Sequence, residues 1–162
     1  MLVKDIVPTD FLNYKKPSMY IAFPFCSFKC EKECGIKCCQ NSSLAKMENK
    51  EISIDRILQL YEEAKPVTKA LLLCGLEPLD SFDDVLELVS KFREKYTDDI
   101  VIYTGYKEYE IFSQLQALKK FPDIIIKFGR YIPNSENKYD EILGVTLASQ
   151  NQYAKRVTEY EH

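Results

Sequence analysis

The chain lacks several features that would assign it to a common class of protein. It contains no tryptophan, only five glycines and a single histidine, His162, so a zinc site with two histidine ligands is excluded. Its formal charge of −3 and pI near 5.3 provide none of the basic surface that nucleic-acid binding requires. We therefore expect no nucleic-acid partner, although nucleotides remain possible ligands.

Long apolar runs are also missing. No segment approaches the roughly 18 apolar residues that a membrane-spanning helix needs. The N-terminus, Met-Leu-Val-Lys-Asp-Ile, does not have the charged and then apolar pattern of a signal peptide. These observations predict a cytoplasmic protein with no membrane partner.

The size and composition favour one domain. The chain has 162 residues, 46% of them apolar, which is enough for a core that does not depend on disulfide bonds. We expect a single domain over residues 1–162, with a core at about 18–157. The charged tail, 156–162, is expected to fray.

Short apolar runs alternate with segments of helical periodicity. The runs at 18–23, 70–74, 100–104 and 123–128 predict buried strands. Helices are predicted at 54–64, with Ser53 as the cap, at 84–96 and at 109–119, the last with Ile111, Phe112, Leu115 and Leu118 facing inward. Such alternation predicts an α/β fold with a mainly parallel sheet, whose ligands bind at the carboxyl ends of the strands. The polar stretch 130–140 is expected to leave the core, and 142–147 to add an edge strand.

Five of the six cysteines lie in one short segment directly after the first predicted strand: Cys26, Cys30, Cys34, Cys38 and Cys39. The sixth, Cys74, lies in an apolar strand and is expected to be a small buried side chain. Secreted disulfide frameworks belong to short chains with poor cores and an export signal, so clustering here indicates a metal site. An iron–sulfur cluster with three thiolate ligands would leave one iron open to a small molecule. A structural zinc site is the alternative, although no cysteine pair has its usual two-residue separation.

The cysteine loop resembles that of radical S-adenosylmethionine enzymes, which have three cysteines after the first strand of a partial (β/α) barrel. The separation of Cys26 from Cys30 agrees with their signature, and Cys39-Gln-Asn41 resembles the end of the loop in activating proteins of anaerobic ribonucleotide reductases. On this interpretation the loop carries an insertion over 31–38. Cys34 and Cys38 remain alternatives to Cys39 as the third ligand.

The loop after the second predicted strand, Gly75-Leu-Glu-Pro78, is similar to the Gly-Gly-Glu-Pro motif that binds the methionine amino group of the cofactor in that family. A carboxylate such as Glu77 could bond an ammonium group strongly. The resemblance implies the cluster ligands Cys26, Cys30 and Cys39. It implies the cofactor-binding residues Cys38, Gln40, Gly75, Leu76, Glu77 and Thr104. At the end of the fourth strand, Lys127, Gly129 and Arg130 are further candidates, unless Arg130 pairs with a surface carboxylate such as Asp140.

The resemblance implies an anaerobic radical enzyme with a [4Fe-4S] cluster and S-adenosyl-L-methionine as cofactors. Among such enzymes the short chain resembles the activases, which implies that it generates a glycyl radical on a large partner, an anaerobic ribonucleotide reductase, with flavodoxin or ferredoxin as electron donor. Two alternatives remain: a radical enzyme acting on a small molecule or peptide, and a non-catalytic iron–sulfur module.

Overall fold

The computed structural model describes residues 1–157, and the end of the predicted tail, 158–162, lies outside the described residues. The strands are β1 Leu2–Val3, β2 Asp5–Asp10, β3 Ser18–Phe23, β4 Lys50–Glu51, β5 Ala70–Gly75, β6 Asp99–Tyr103, β7 Ile124–Phe128, β8 Lys138–Asp140, β9 Val145–Leu147 and β10 Tyr153–Arg156. The α-helices are α1 Lys29–Cys34, α2 Ser42–Ala45, α3 Ile54–Ala64, α4 Phe82–Lys95 and α5 Phe112–Leu118. Among the described residues, no helix combines the length and apolarity that crossing a bilayer requires.

The centre of the protein is a six-stranded sheet in the order β10-β7-β6-β5-β3-β2. The four inner strands are parallel, and β2 and β10 flank them as antiparallel edges. The predicted mixed α/β fold with a mainly parallel sheet is therefore confirmed, and its parallel part consists of the four predicted strands. The two edge strands were not predicted, because Asp5–Asp10 contains a proline and two of the four residues of Tyr153–Arg156 are charged.

The apolar patch at 142–147 does not add an edge strand to this sheet, so that prediction is wrong. Its strand β9 pairs with β8 in a separate two-stranded ribbon, while the edge beside β7 is occupied by β10. Leu143 and Leu147 are buried against one face of the sheet. The apolar side chains thus cover a face, which buries more of their surface than an edge position would.

Alternating residues of the inner strands divide between the two faces of the sheet. One face packs against α3, α4 and α5 in the main core, where the helices contribute Ile57, Leu58, Tyr61, Val85, Leu88, Val89, Phe92, Leu115 and Leu118. Ser53 caps α3 as predicted, since its hydroxyl accepts a hydrogen bond from the Arg56 N–H at 3.1 Å. The other face carries a smaller apolar cluster that includes Tyr14, Leu72 and Val101.

The third predicted helix is interrupted, and this changes the position of Phe112. A 3-10 turn over Glu108–Glu110 precedes α5, and the backbone of Ile111 between them is not helical, with φ −128° and ψ 37°. Ile111, Leu115 and Leu118 are buried as predicted, whereas Phe112 is 69% exposed. The prediction for Phe112 is wrong because the break at Ile111 removes it from the apolar face of one continuous helix.

A buried carboxylate holds the N-terminal segment onto the start of the sheet. Asp99 Oδ2 accepts hydrogen bonds from Tyr14 Oη at 2.6 Å and Lys16 Nζ at 2.9 Å. Arg156 lies 3.5 Å from the other oxygen, Asp99 Oδ1. Burial alone would raise the pKa of Asp99, but the bonds from Tyr14 and Lys16 outweigh burial and keep this pKa below its ordinary value. Asp99 therefore stabilises the fold as a carboxylate.

Replacing this carboxylate by an amide, Asp99→Asn, should lower the free energy of unfolding at pH 7 by about 1–3 kcal/mol, because the buried Tyr14 hydroxyl and the exposed Lys16 ammonium lose a charged partner. Urea denaturation of the metal-free chain measures the effect. Since the folded pKa is lowered, the contribution of the carboxylate is complete above the unfolded-state pKa and is lost as the pH falls through the folded one. The difference between the two proteins should shrink below about pH 4.

The matched control is Glu94→Gln, which removes a carboxylate from an exposed position of α4. Its effect should stay within about 0.5 kcal/mol. An equal loss of stability in the two variants would contradict a special role for Asp99.

Candidate functional site

The carboxyl ends of the parallel strands meet at one edge of the sheet, beside a cavity of about 320 Å³. The register aligns Phe23 at the end of β3 with Gly75 of β5, and Tyr103 of β6 with Lys127 of β7. The loops that follow these strands carry the predicted motifs. The cavity is therefore where the sequence predicts a ligand.

The structure separates the five clustered cysteines into two groups. The thiols of Cys26, Cys30 and Cys39 line the cavity, whereas Cys34 and Cys38 lie outside its lining. The inserted residues 31–38 form the second half of α1 and a turn at Gly35, whose φ is 73°. Because this insertion leads away from the cavity and returns, three cysteines that are unevenly spaced along the chain line the same space.

Each of the three cavity thiols receives a backbone N–H. Phe28 N donates to Cys26 Sγ at 3.2 Å, and Asn41 N donates to Cys39 Sγ at 3.3 Å. A backbone hydrogen bond from Tyr131 reaches the Cys30 thiol. Such bonds stabilise thiolate ligands and tune the potential of a bound cluster.

Burial disfavours the anionic thiolate form of these side chains until a cation is bound. It raises the pKa of Cys26 to about 12 and also raises the pKa of Cys30. A thiolate is the form that ligates metal, so positive charge at this position would compensate the cost of ionisation. Within residues 1–157, no three Cys, His, Asp or Glu side chains converge around a point that could hold a single metal ion. The three half-buried thiols supply the kind of sulfur donor that an iron–sulfur cluster takes as its ligands.

Gly75, at the end of β5, lies directly against the backbone at the end of β3. Its φ is 85°, and a Cβ atom there would lie 2.4 Å from the backbone nitrogen of Phe23. Only glycine fits, for both steric and conformational reasons. Asn41 Nδ2 donates to the Gly75 carbonyl oxygen at 2.6 Å, which ties the chain beside Cys39 to the end of β5.

Glu77 connects the loops after β5 and β6. Its buried carboxylate accepts hydrogen bonds from Leu79 N at 3.0 Å, Thr104 Oγ1 at 2.8 Å and Gly105 N at 2.8 Å. Burial raises the pKa of Glu77 to about 7, even though these three donors favour the charged form. The Thr104 hydroxyl also accepts from Tyr106 N at 3.0 Å, so it caps a turn at the wall of the cavity.

The end of β7 supplies one cation to the cavity and one to the surrounding structure. Lys127 is buried in the cavity wall, where its ammonium donates to the Gly129 carbonyl at 3.2 Å. Arg130 instead makes two hydrogen bonds to Glu110, at 2.7 and 2.6 Å, and lies 3.3 Å from Glu33 of α1. Arg130 therefore holds the cysteine helix against the end of the sheet and does not pair with Asp140.

Of the residues that the resemblance assigns to the cofactor, Cys38 lies away from the cavity. The other five are part of its wall: Gln40, Gly75, Leu76, Glu77 and Thr104. Further wall residues come from the sheet face opposite the helices, namely Tyr20, Cys74, Tyr103 and Lys127. Cys74 is buried as expected and also contacts the cavity. Strict alternation along the strands could have identified this set, because their neighbours in sequence face the helices.

Comparison with known proteins agrees with the chemistry of this donor set. A family model described as a 4Fe-4S single cluster domain matches residues 19–153. No curated protein and no solved structure matches the chain.

Alanine substitutions of the five clustered cysteines, one at a time, test the grouping of the thiols. After anaerobic reconstitution with iron and sulfide, the variants Cys26→Ala, Cys30→Ala and Cys39→Ala should each lose most of the roughly four irons that a cubane cluster holds. Cys34→Ala and Cys38→Ala should keep them, because neither side chain reaches the cavity. Iron and sulfide analysis with the near-ultraviolet absorbance measures the result. Loss of the cluster in Cys34→Ala or Cys38→Ala would contradict the grouping.

Proposed function

The chain belongs to the 4Fe-4S single cluster domain family, and on that premise we propose that it is a radical S-adenosylmethionine activase with Cys26, Cys30 and Cys39 as cluster ligands. The observation that carries the proposal is that these three thiols share one cavity with the Gly75-Leu76-Glu77 loop. Three ligands leave one iron of a four-iron cluster free, and the neighbouring loop offers polar groups for a second ligand. When bound, the cluster supplies the electron that cleaves the sulfonium of the cofactor.

The protein contributes the binding and orientation of the cofactor. The backbone carbonyls after Gly75 provide acceptors for the methionine ammonium, and Lys127 provides a cation for the carboxylate. Leu76 replaces the second glycine of the motif and adds an apolar surface. The Glu77 carboxylate is engaged by three internal donors, so it orients the loop that carries Thr104 and adds negative charge near the ammonium. This sheet, with the cavity at its end, is proposed to be related to the partial barrel of the radical enzymes.

The hydrogen donor is proposed to be a glycine in a loop of a large partner, an anaerobic ribonucleotide reductase. Leu12 supports access from outside, because it lines the cavity and is 80% exposed. Phe25, which lies after β3 and directly before the first cysteine, is 50% exposed. A partner loop could therefore complete the wall and exclude water, which radical chemistry requires. Flavodoxin or ferredoxin is the proposed electron donor, and the cytoplasm under anaerobic conditions is the proposed setting.

The reconstituted protein should form 5′-deoxyadenosine when it is reduced anaerobically with dithionite and given S-adenosyl-L-methionine. Chromatography measures the product, and Cys30→Ala, which is expected to lack the cluster, is the control. Addition of the reductase partner should transfer the radical to glycine, detected by electron paramagnetic resonance. A fully loaded cluster without product would contradict the radical class and favour an electron carrier. Product without any radical on a reductase would favour a small-molecule or peptide substrate.

Glu77→Gln tests the proposed cofactor loop. The amide keeps the shape of the carboxyl group but points an NH2 group at one of the three internal donors, so the loop should shift and the KM for S-adenosyl-L-methionine should rise about tenfold or more. The dependence of product formation on cofactor concentration separates KM from kcat.

Glu87→Gln on α4 is the matched control for Glu77→Gln, because its side chain is 56% exposed in an i,i+4 pair with Lys91. If the two variants had the same KM and the same thermal stability, this result would contradict a role for Glu77 in the site.

A further inference from the structure

Cys34 and Cys38 form a thiol pair of their own. Their Sγ atoms are 2.6 Å apart, and both side chains are partly accessible to solvent. Neither side chain lines the cavity that Cys26, Cys30 and Cys39 share. The pair is thus spatially separate from the three cavity thiols.

The turn at the end of α1 brings these thiols together. Gly35 adopts φ 73° and donates its N–H to the Glu31 carbonyl at 2.9 Å, which ends the helix and reverses the chain. The Cys34 thiol lies 3.3 Å from the carbonyl oxygen of Ile36 within this turn. A disulfide has an S–S distance of about 2.05 Å, so a small rotation of the two side chains would close the bond.

We propose that Cys34 and Cys38 are a redox-active dithiol, a modification site that closes to an intramolecular disulfide by exchange with a low-molecular-weight disulfide such as oxidised glutathione. Two S–H bonds break and one S–S bond forms. The two electrons and two protons pass to the oxidant, whose own S–S bond is cleaved to give two thiols. The proposal rests on the proposed function only in taking Cys39, and not Cys34 or Cys38, as the third ligand.

The position of the pair gives the disulfide a direct effect on the cluster loop. Cys38 precedes Cys39, and the Cys39 N–H is already held by Glu31 Oε1 of α1 at 3.1 Å. Closing the bond adds a covalent link between α1, which carries Cys30, and the segment that carries Cys39. The oxidised form therefore constrains the separation of two cavity thiols.

The experiment compares the reconstituted protein before and after anaerobic incubation with a 100-fold excess of oxidised glutathione, followed by denaturation, alkylation with N-ethylmaleimide and tryptic digestion. Lys37 separates the two cysteines, so the disulfide would join two tryptic peptides and is visible by mass spectrometry. We expect the number of labelled cysteines to fall by two and the joined peptide to appear.

Three serine variants identify the cysteines that form the disulfide. The joined peptide should be absent from Cys34→Ser and Cys38→Ser and present in Cys74→Ser, which removes a buried cysteine of β5. Iron content measured on the same samples should equal that of the wild type in Cys34→Ser and Cys38→Ser. Unchanged labelling after oxidation, a joined peptide that persists in Cys38→Ser, or loss of iron from either variant would overturn the proposal. Failure to form 5′-deoxyadenosine with a loaded cluster would overturn the proposed function and leave the dithiol assignment intact.

Discussion

The close approach of the ends of β3 and β5 is the constraint on which the site depends. At Gly75 the backbone of the neighbouring strand occupies the space of a side chain, so the two strands finish at the same level. The loops that follow these two strands therefore run side by side. The amide of Asn41 joins them at the Gly75 carbonyl, which brings the last cysteine of its loop next to the loop that begins at Gly75.

Two carboxylates, the buried Glu77 and the partly exposed Glu110, extend this arrangement around the cavity. Glu77 joins the loop after β5 to that after β6 through three hydrogen bonds, and Glu110 receives Arg130 from the end of β7. Arg130 also reaches Glu33, so the helix that carries Cys30 is attached to the opposite side of the sheet end. Polar networks of this kind hold side chains in one arrangement and so place neighbouring reactive groups accurately.

The structure divides the five cysteines of the loop into two groups. Three thiols receive backbone N–H groups and face the enclosed space, as cluster ligands require, while two meet each other near the surface. A loop without the insertion would contain only the thiols that face the cavity. The insertion after Cys30 adds a helical turn and Gly35, and thereby supplies the pair of Cys34 and Cys38 outside the cavity that the three other thiols line.

The sequence by itself determined the four parallel strands and the α3 cap at Ser53. It also determined that sulfur chemistry lies at the carboxyl edge of the sheet, because apolar periodicity and residue type are local properties. Tertiary structure decided which cysteines share the cavity, since spacing along the chain does not report how the insertion folds back. It also decided the exposure of Phe112, the edge strands β2 and β10, and the pairing of Arg130 with Glu110. Each of these depends on contacts between segments far apart in sequence. Local sequence does not distinguish the possible contact partners, and the geometry of the whole sheet determines which one is used.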